Sequence, residues 1–117
     1  MADVKKPLVY VVDDDTRLAE TLRGILARAD YETLAFHDGL GVVAAARERR
    51  PDAMLLDLML PDIDGIEVIK QVQAFAPGLP IVMLSGQGSI KAALEATRLG
   101  AYAVSYTHLT LPTILRV

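Results

Sequence analysis

Three carboxylates stand at the ends of apolar runs: Asp13 and Asp14 follow LVYVV, and Asp57 lies inside MLLDLML. A carboxylate in an otherwise apolar strand is expensive to bury as a charge. It therefore marks a strand end that reaches water or a group kept for chemistry. Three such groups brought together tend to hold a proton unless a divalent cation neutralises them. Mg2+ suits the set, because it prefers oxygen ligands, keeps several waters and is commonly shared with a phosphate. No His or Cys stands in these strings, which argues against zinc. Beside a bound cation, Asp57 can serve as a nucleophile toward a phosphoryl group. A hydroxyl at the next strand end, that of Ser85, can then bond a phosphoryl oxygen.

Positioning these groups falls to the elements around them. Short β-type runs, Leu8 to Val12, Ala53 to Leu58 and Ile81 to Leu84, alternate with segments of helical spacing. That alternation predicts a parallel sheet with covering helices. In open sheets of this kind ligand sites lie at the carboxyl ends of the strands, where Asp13, Asp14, Asp57 and Ser85 all fall. Asp15 or Thr16 caps a first helix in which Leu18, Leu22, Ile25 and Leu26 pack on the sheet while Arg17, Glu20 and Arg23 face water. The helix should end near Ala29-Asp30. Tyr31 to Phe36 reads as a second strand, Gly41 to Arg49 as a second helix, and Pro51-Asp52 as the break before the third strand. Gly65 to Phe75 forms a third helix with Ile66, Val68, Ile69, Val72 and Phe75 as its apolar candidates. Ser89 opens a fourth helix that Gly100 ends, and a final strand begins near Ala101. The predicted order is βαβαβαβαβ.

Composition is that of a single domain able to bury its own core: 117 residues, of which 52% are hydrophobic. No apolar run is long enough to span a bilayer, and MADVKK leads into too short a run for a secretory signal. The absence of cysteine excludes disulfides and thiolate metal sites and fits a cytoplasmic setting. A net charge of −3 offers no nucleic-acid surface in this segment.

Plainer readings compete at several positions. Asp15 reads as a helix cap, and Asp13-Asp14 in isolation would cap or solvate; their place after a buried-type strand, with Asp57 two strands later, favours metal binding. Pro61-Asp62-Ile63-Asp64-Gly65 lacks the further acidic positions and closing Glu of a calcium loop. It reads as a turn, with Gly65 in a conformation other residues avoid. His37, away from the carboxylates, reads as a surface residue, and Arg47 to Arg50 as a solvated helix end.

The strings LVYVVDDD, PDAMLLDLMLPDIDGIEV and LPIVMLSGQGS, followed by GAY, resemble in order the receiver domain of two-component response regulators, over residues 7 to 102. The resemblance implies a flavodoxin-like, doubly wound, five-stranded parallel sheet. Position by position it makes Asp13 and Asp14 the acidic metal pair, Asp57 the phosphoacceptor and a third ligand, Met59 a ligand through its backbone carbonyl, and Ser85 the switch hydroxyl. It implies Mg2+ as cofactor, a sensor histidine kinase as partner, and a signalling module rather than an enzyme, with no membrane or direct nucleic-acid contact. LSGQGSIKAALEATRLGAY is similar to receivers of the nitrogen-regulator type, which precede an AAA+ ATPase and a DNA-binding domain.

The family's last strand carries a lysine followed by proline, expected at Thr107-His108, and an aromatic residue, expected at Val104. Both are missing, so the last strand is altered; the fifth helix is missing as well. Lys70 and Lys91 lie in helical segments and are no evident substitutes. The tail AVSYTHLTLPTILRV matches, in one frame, the translation of a transposase-type sequencing adapter from Ala103 through Thr113. The expectation is a truncated receiver domain over residues 1–102 and a non-native read-through over residues 103–117. A chain lacking the fifth helix would expose apolar surface and be poorly soluble or dimerise. Two other functions compete. A pseudo-receiver would bind without phosphotransfer, as the absent lysine suggests. An aspartyl-nucleophile phosphatase would want a second acid two residues after Asp57, where Met59 stands.

Overall fold

The structure, a computed structural model, describes residues 6–57, 60–85, 98, 100, 102–105 and 113–115. Chain order is β1 (Leu8–Val12), α1 (Thr16–Arg28), β2 (Glu32–Phe36), α2 (Gly39–Glu48), β3 (Ala53–Asp57), α3 (Gly65–Phe75), β4 (Ile81–Ser85), β5 (Tyr102–Ser105) and β6 (Thr113–Leu115). The strands form one sheet in the order β2-β1-β3-β4-β5-β6. The first five pair in parallel, as the alternating pattern predicts, and β6 adds an antiparallel edge to β5 that the sequence reading did not foresee. The expected fourth helix lies outside the described residues apart from helical Arg98 and Gly100, whose positive φ of 99° suits a helix-ending glycine.

Strand alternation sorts the core. Leu8, Tyr10, Val12, Met54, Leu56, Ile81 and Met83 share a buried cluster with Val42, Val43 and Ala46 of α2 and Val68, Ile69 and Val72 of α3. β1 is buried along its whole length because its other face, Val9 and Val11, is covered too. The Tyr10 hydroxyl donates to the Arg49 carbonyl at 2.7 Å, which ties the end of α2 to β1.

α1 departs from its predicted face. Ala19 is its buried residue, Leu18, Leu22 and Leu26 are half-buried, and Ile25 is 56% exposed. Arg23, expected in water, turns its Nε to the Thr33 hydroxyl of β2 at 3.2 Å. The small side chain of Ala19 lets the helix settle along that side, and this rotation carries Ile25 outward. α2 starts two residues before the predicted Gly41, because Asp38 is its N-cap and accepts from the Gly41 N–H at 2.7 Å. Gly65 begins α3 and is buried there, after the Asp64 cap; its backbone is not in the positive-φ region, so the unusual conformation expected of it is not found.

Candidate metal centre

Register builds the site. Val12 of β1 pairs with Leu56 of β3. Asp13 and Asp57 are each the next residue, so they emerge side by side at the carboxyl edge. Asp13, Asp14 and Asp57 each present a carboxylate oxygen, and these oxygens lie within 4.8 Å of one another. That spacing fits a single hard cation bound by shared oxygens. Asp13 is the one buried charged side chain of the described core, 3% exposed, whereas Asp14 is exposed and Asp57 half-buried. Asp15 plays the other part: its carboxylate accepts from the Arg17 and Leu18 N–H groups at 3.0 and 3.2 Å and caps α1.

Electrostatics mark the cluster as built for a cation. Burial pushes the Asp13 carboxyl up to about 6 from an ordinary 3.8; the Asp15 N–H, donating to Asp13 Oδ1 at 2.9 Å, opposes the rise. The Asp57 charge and a hydrogen bond between the two carboxyls add to it, with a smaller contribution from Asp14. A proton retained on a carboxyl in this way is what a divalent cation displaces. The donor set fits Mg2+, which Asp13, Asp14 and Asp57 could hold together.

Ser85 closes β4, one residue past the Leu84 that pairs with Asp57, so the backbone brings it to the same edge. Met59 lies outside the described residues, as do Thr107 and His108. Val104 lies in β5 opposite Leu84.

Two residues acquire a place here that the sequence reading did not assign. His37, set apart from the carboxylates in sequence, lies with its Nδ1 2.8 Å from the Asp13 carbonyl oxygen. The β1–β2 register brings it there: Phe36 pairs with Val12, so the residue after each strand meets the other. Asp62, read as part of a turn, accepts from the Gly39 and Leu40 N–H groups at 2.8 Å each. Those two donors hold its carboxyl below the usual range.

Residues 9–105 match the family described as the response regulator receiver domain. The chain belongs to that family. This receiver is 44% identical over 85 residues to the DNA-binding response regulator MtrA of Mycobacterium tuberculosis, covering 73% of this chain and 37% of that protein. Its identity to the DNA-binding transcriptional regulator NtrC of Salmonella typhimurium is 32% over 99 residues, covering 85% of this chain and 21% of that one. The solved receiver domain of NtrX from Brucella abortus superposes with a TM-score of 0.79 at 32% identity, covering 88% of this chain and 87% of that one. The chemotaxis protein CheY4 of Vibrio cholerae gives 0.81 at 26%, covering 92% and 90%. The receiver spans less than two fifths of the regulators MtrA and TcrX that it matches. It is a signalling domain of two-component systems, with the flavodoxin-like fold of its relatives. No helix among its described residues is long and apolar enough to cross a membrane.

Proposed function

We propose that this receiver accepts a phosphoryl group on Asp57 from a sensor histidine kinase and passes the change to an output domain. The observation that carries the reading is the convergence of Asp13, Asp14 and Asp57 at one sheet edge, with the Asp13 carboxyl pushed up to about 6. Bound Mg2+, held by Asp13, Asp14, Asp57 and the Met59 carbonyl, would screen the charge between carboxylate and phosphoryl group. An Asp57 carboxylate oxygen forms the new bond to phosphorus as the phosphorus–nitrogen bond to the donor histidine breaks, and that histidine nitrogen takes up a proton. Ser85, at the neighbouring strand end, donates its hydroxyl to a phosphoryl oxygen and so reports the new charge. The likeness to NtrC supports an AAA+ ATPase and DNA-binding output in a longer parent protein, and the likeness to MtrA supports a transcriptional output more generally. Cytoplasmic location follows from such a role.

In this reading residues 103–117 are translated adapter, and Tyr102–Ser105 stands where a native β5 carries the lysine onward. Re-amplifying the source DNA across codon 103 and sequencing it tests this: an open frame running on through Asp, an aromatic residue and Lys-Pro supports it, and the same tail in the source overturns it. The chemistry is tested by incubation with Mg2+ and a small acyl phosphate. Base-labile phosphate retained on Asp57, and lost in Asp57→Asn, is the expected result. Multiple turnover would indicate a phosphatase. No label at all would indicate the inert pseudo-receiver that the missing lysine favours.

A further inference from the structure

The turn between β2 and α2 touches both loops that carry the acidic cluster. At its start, His37 Nδ1 lies 2.8 Å from the carbonyl of Asp13. A carbonyl only accepts, so Nδ1 carries the proton and donates. The Asp13 N–H is also taken by this side of the sheet, donating to the Phe36 carbonyl at 3.0 Å. The peptide groups flanking the buried carboxyl are thus held by β2 and its turn. Just after the turn, at the start of α2, the N–H groups of Gly39 and Leu40 hold both oxygens of Asp62, five residues past Asp57.

Packing makes the second link tight. Gly39 is buried, and a Cβ there would come within 2.5 Å of Ile63 Cγ1 and 2.8 Å of Val68 Cγ2. The turn and the loop after β3 therefore touch backbone to side chain with no space between them. β1 lies between β2 and β3 in the sheet, so the turn reaches past one strand to join the loops of the other two.

We propose that the segment His37–Leu40, the turn and the first residues of α2, is a brace between the Asp13 and Asp57 loops, and that His37 and Asp62 are positioning residues for divalent-cation binding. The inference rests on the cation site proposed above. Neither residue need touch the cation: His37 sets the Asp13 peptide, and Asp62 sets the loop that follows Asp57. The two links act in series. Cutting either one loosens the tie between the loops, and cutting the second adds little.

Calorimetric titration of the full chain with Mg2+ tests this, using His37→Leu, His37→Asn, Asp62→Ala and the double variant His37→Leu/Asp62→Ala. Losing a partner that orients a ligand weakens metal affinity by about tenfold. We expect that loss in His37→Leu and in Asp62→Ala, and the same loss, not about a hundredfold, in the double variant. His37→Asn keeps a donor nitrogen at the δ position and should restore most of the affinity. Asp57 labelling at saturating Mg2+ should remain within about twofold of wild type, as for residues that position the site without joining the chemistry. Single variants that bind Mg2+ as wild type overturn the brace, and an additive loss in the double variant overturns the series linkage. Should Asp62→Ala fail to fold, the comparison of His37→Leu with His37→Asn decides alone, since His37 is exposed and its replacement leaves the core untouched. A wild-type chain that binds no Mg2+ is a different result: it overturns the cation site itself.

Discussion

Asp13 and Asp57, at the ends of the neighbouring strands β1 and β3, bring carboxylate oxygens within 4.8 Å of each other. Burial, with the Asp57 charge beside it, pushes the Asp13 carboxyl up to about 6, so it holds its proton more firmly than an ordinary aspartate. The same geometry that makes the pair costly in the metal-free fold is what a divalent cation rewards.

Stability of the metal-free receiver should therefore depend on pH in an unusual direction. The folded Asp13 carboxyl titrates near 6, against 3.8 for an ordinary aspartate. Between those values the folded state holds more protons than the unfolded one, so stability falls as pH rises through the interval and levels off above it. Mg2+ competes with that proton. Its stabilisation should be full above pH 6 and fade toward pH 5. Thermal melts with Mg2+ and with chelator across this range check both trends.

Asp13→Asn should separate stability from function. Removing the buried charge stabilises the metal-free chain at pH 8 by about 1 to 2 kcal/mol and removes its Asp13-dependent pH slope. Mg2+ affinity should fall at the same time by at least about tenfold. Denaturant unfolding, paired with calorimetry, reads the two effects independently.

Asp15→Ala tests the division of labour within the acidic triplet. Loss of the α1 cap should cost about 1 kcal/mol. The Asp15 backbone N–H still reaches Asp13 Oδ1, so Mg2+ binding should change less than about twofold. A large loss of affinity would make Asp15 part of the metal site.

Gly39→Ala should be more damaging than a surface turn substitution usually is. Its methyl group would meet Ile63 and Val68 side chains at 2.5 to 2.8 Å. Overpacking of this kind costs about 1 to 3 kcal/mol, measurable as a lower denaturation midpoint with unchanged slope.

Much of this site was legible along the chain because its first-rank groups sit where a local pattern changes. LVYVV stops at Asp13, and the β3 run reaches Asp57, so a parallel sheet had to bring both carboxylates to one edge. The Asp15 cap was legible for a similar reason, since an acceptor before a helix has an assigned local job. Ser85 followed from the length of β4 alone.

His37, Asp62 and the rotation of α1 were not legible, because each depends on what lies across a strand or a loop. Nothing local distinguishes a histidine that meets water from one that meets the carbonyl of Asp13; the β1–β2 register decides it. Asp62 sits in a turn by its sequence, yet its two partners come from α2, which the chain reached earlier. Helical spacing placed Ile25 with Leu22 and Leu26, but how far α1 rolls on the sheet depends on how closely Ala19 approaches it. The order of elements and the strand ends that carry acid can be read along the chain, because periodicity and charge placement are local properties. Which loops lie against those acids cannot, because hydrogen bonds between loops depend on strand register and packing distance.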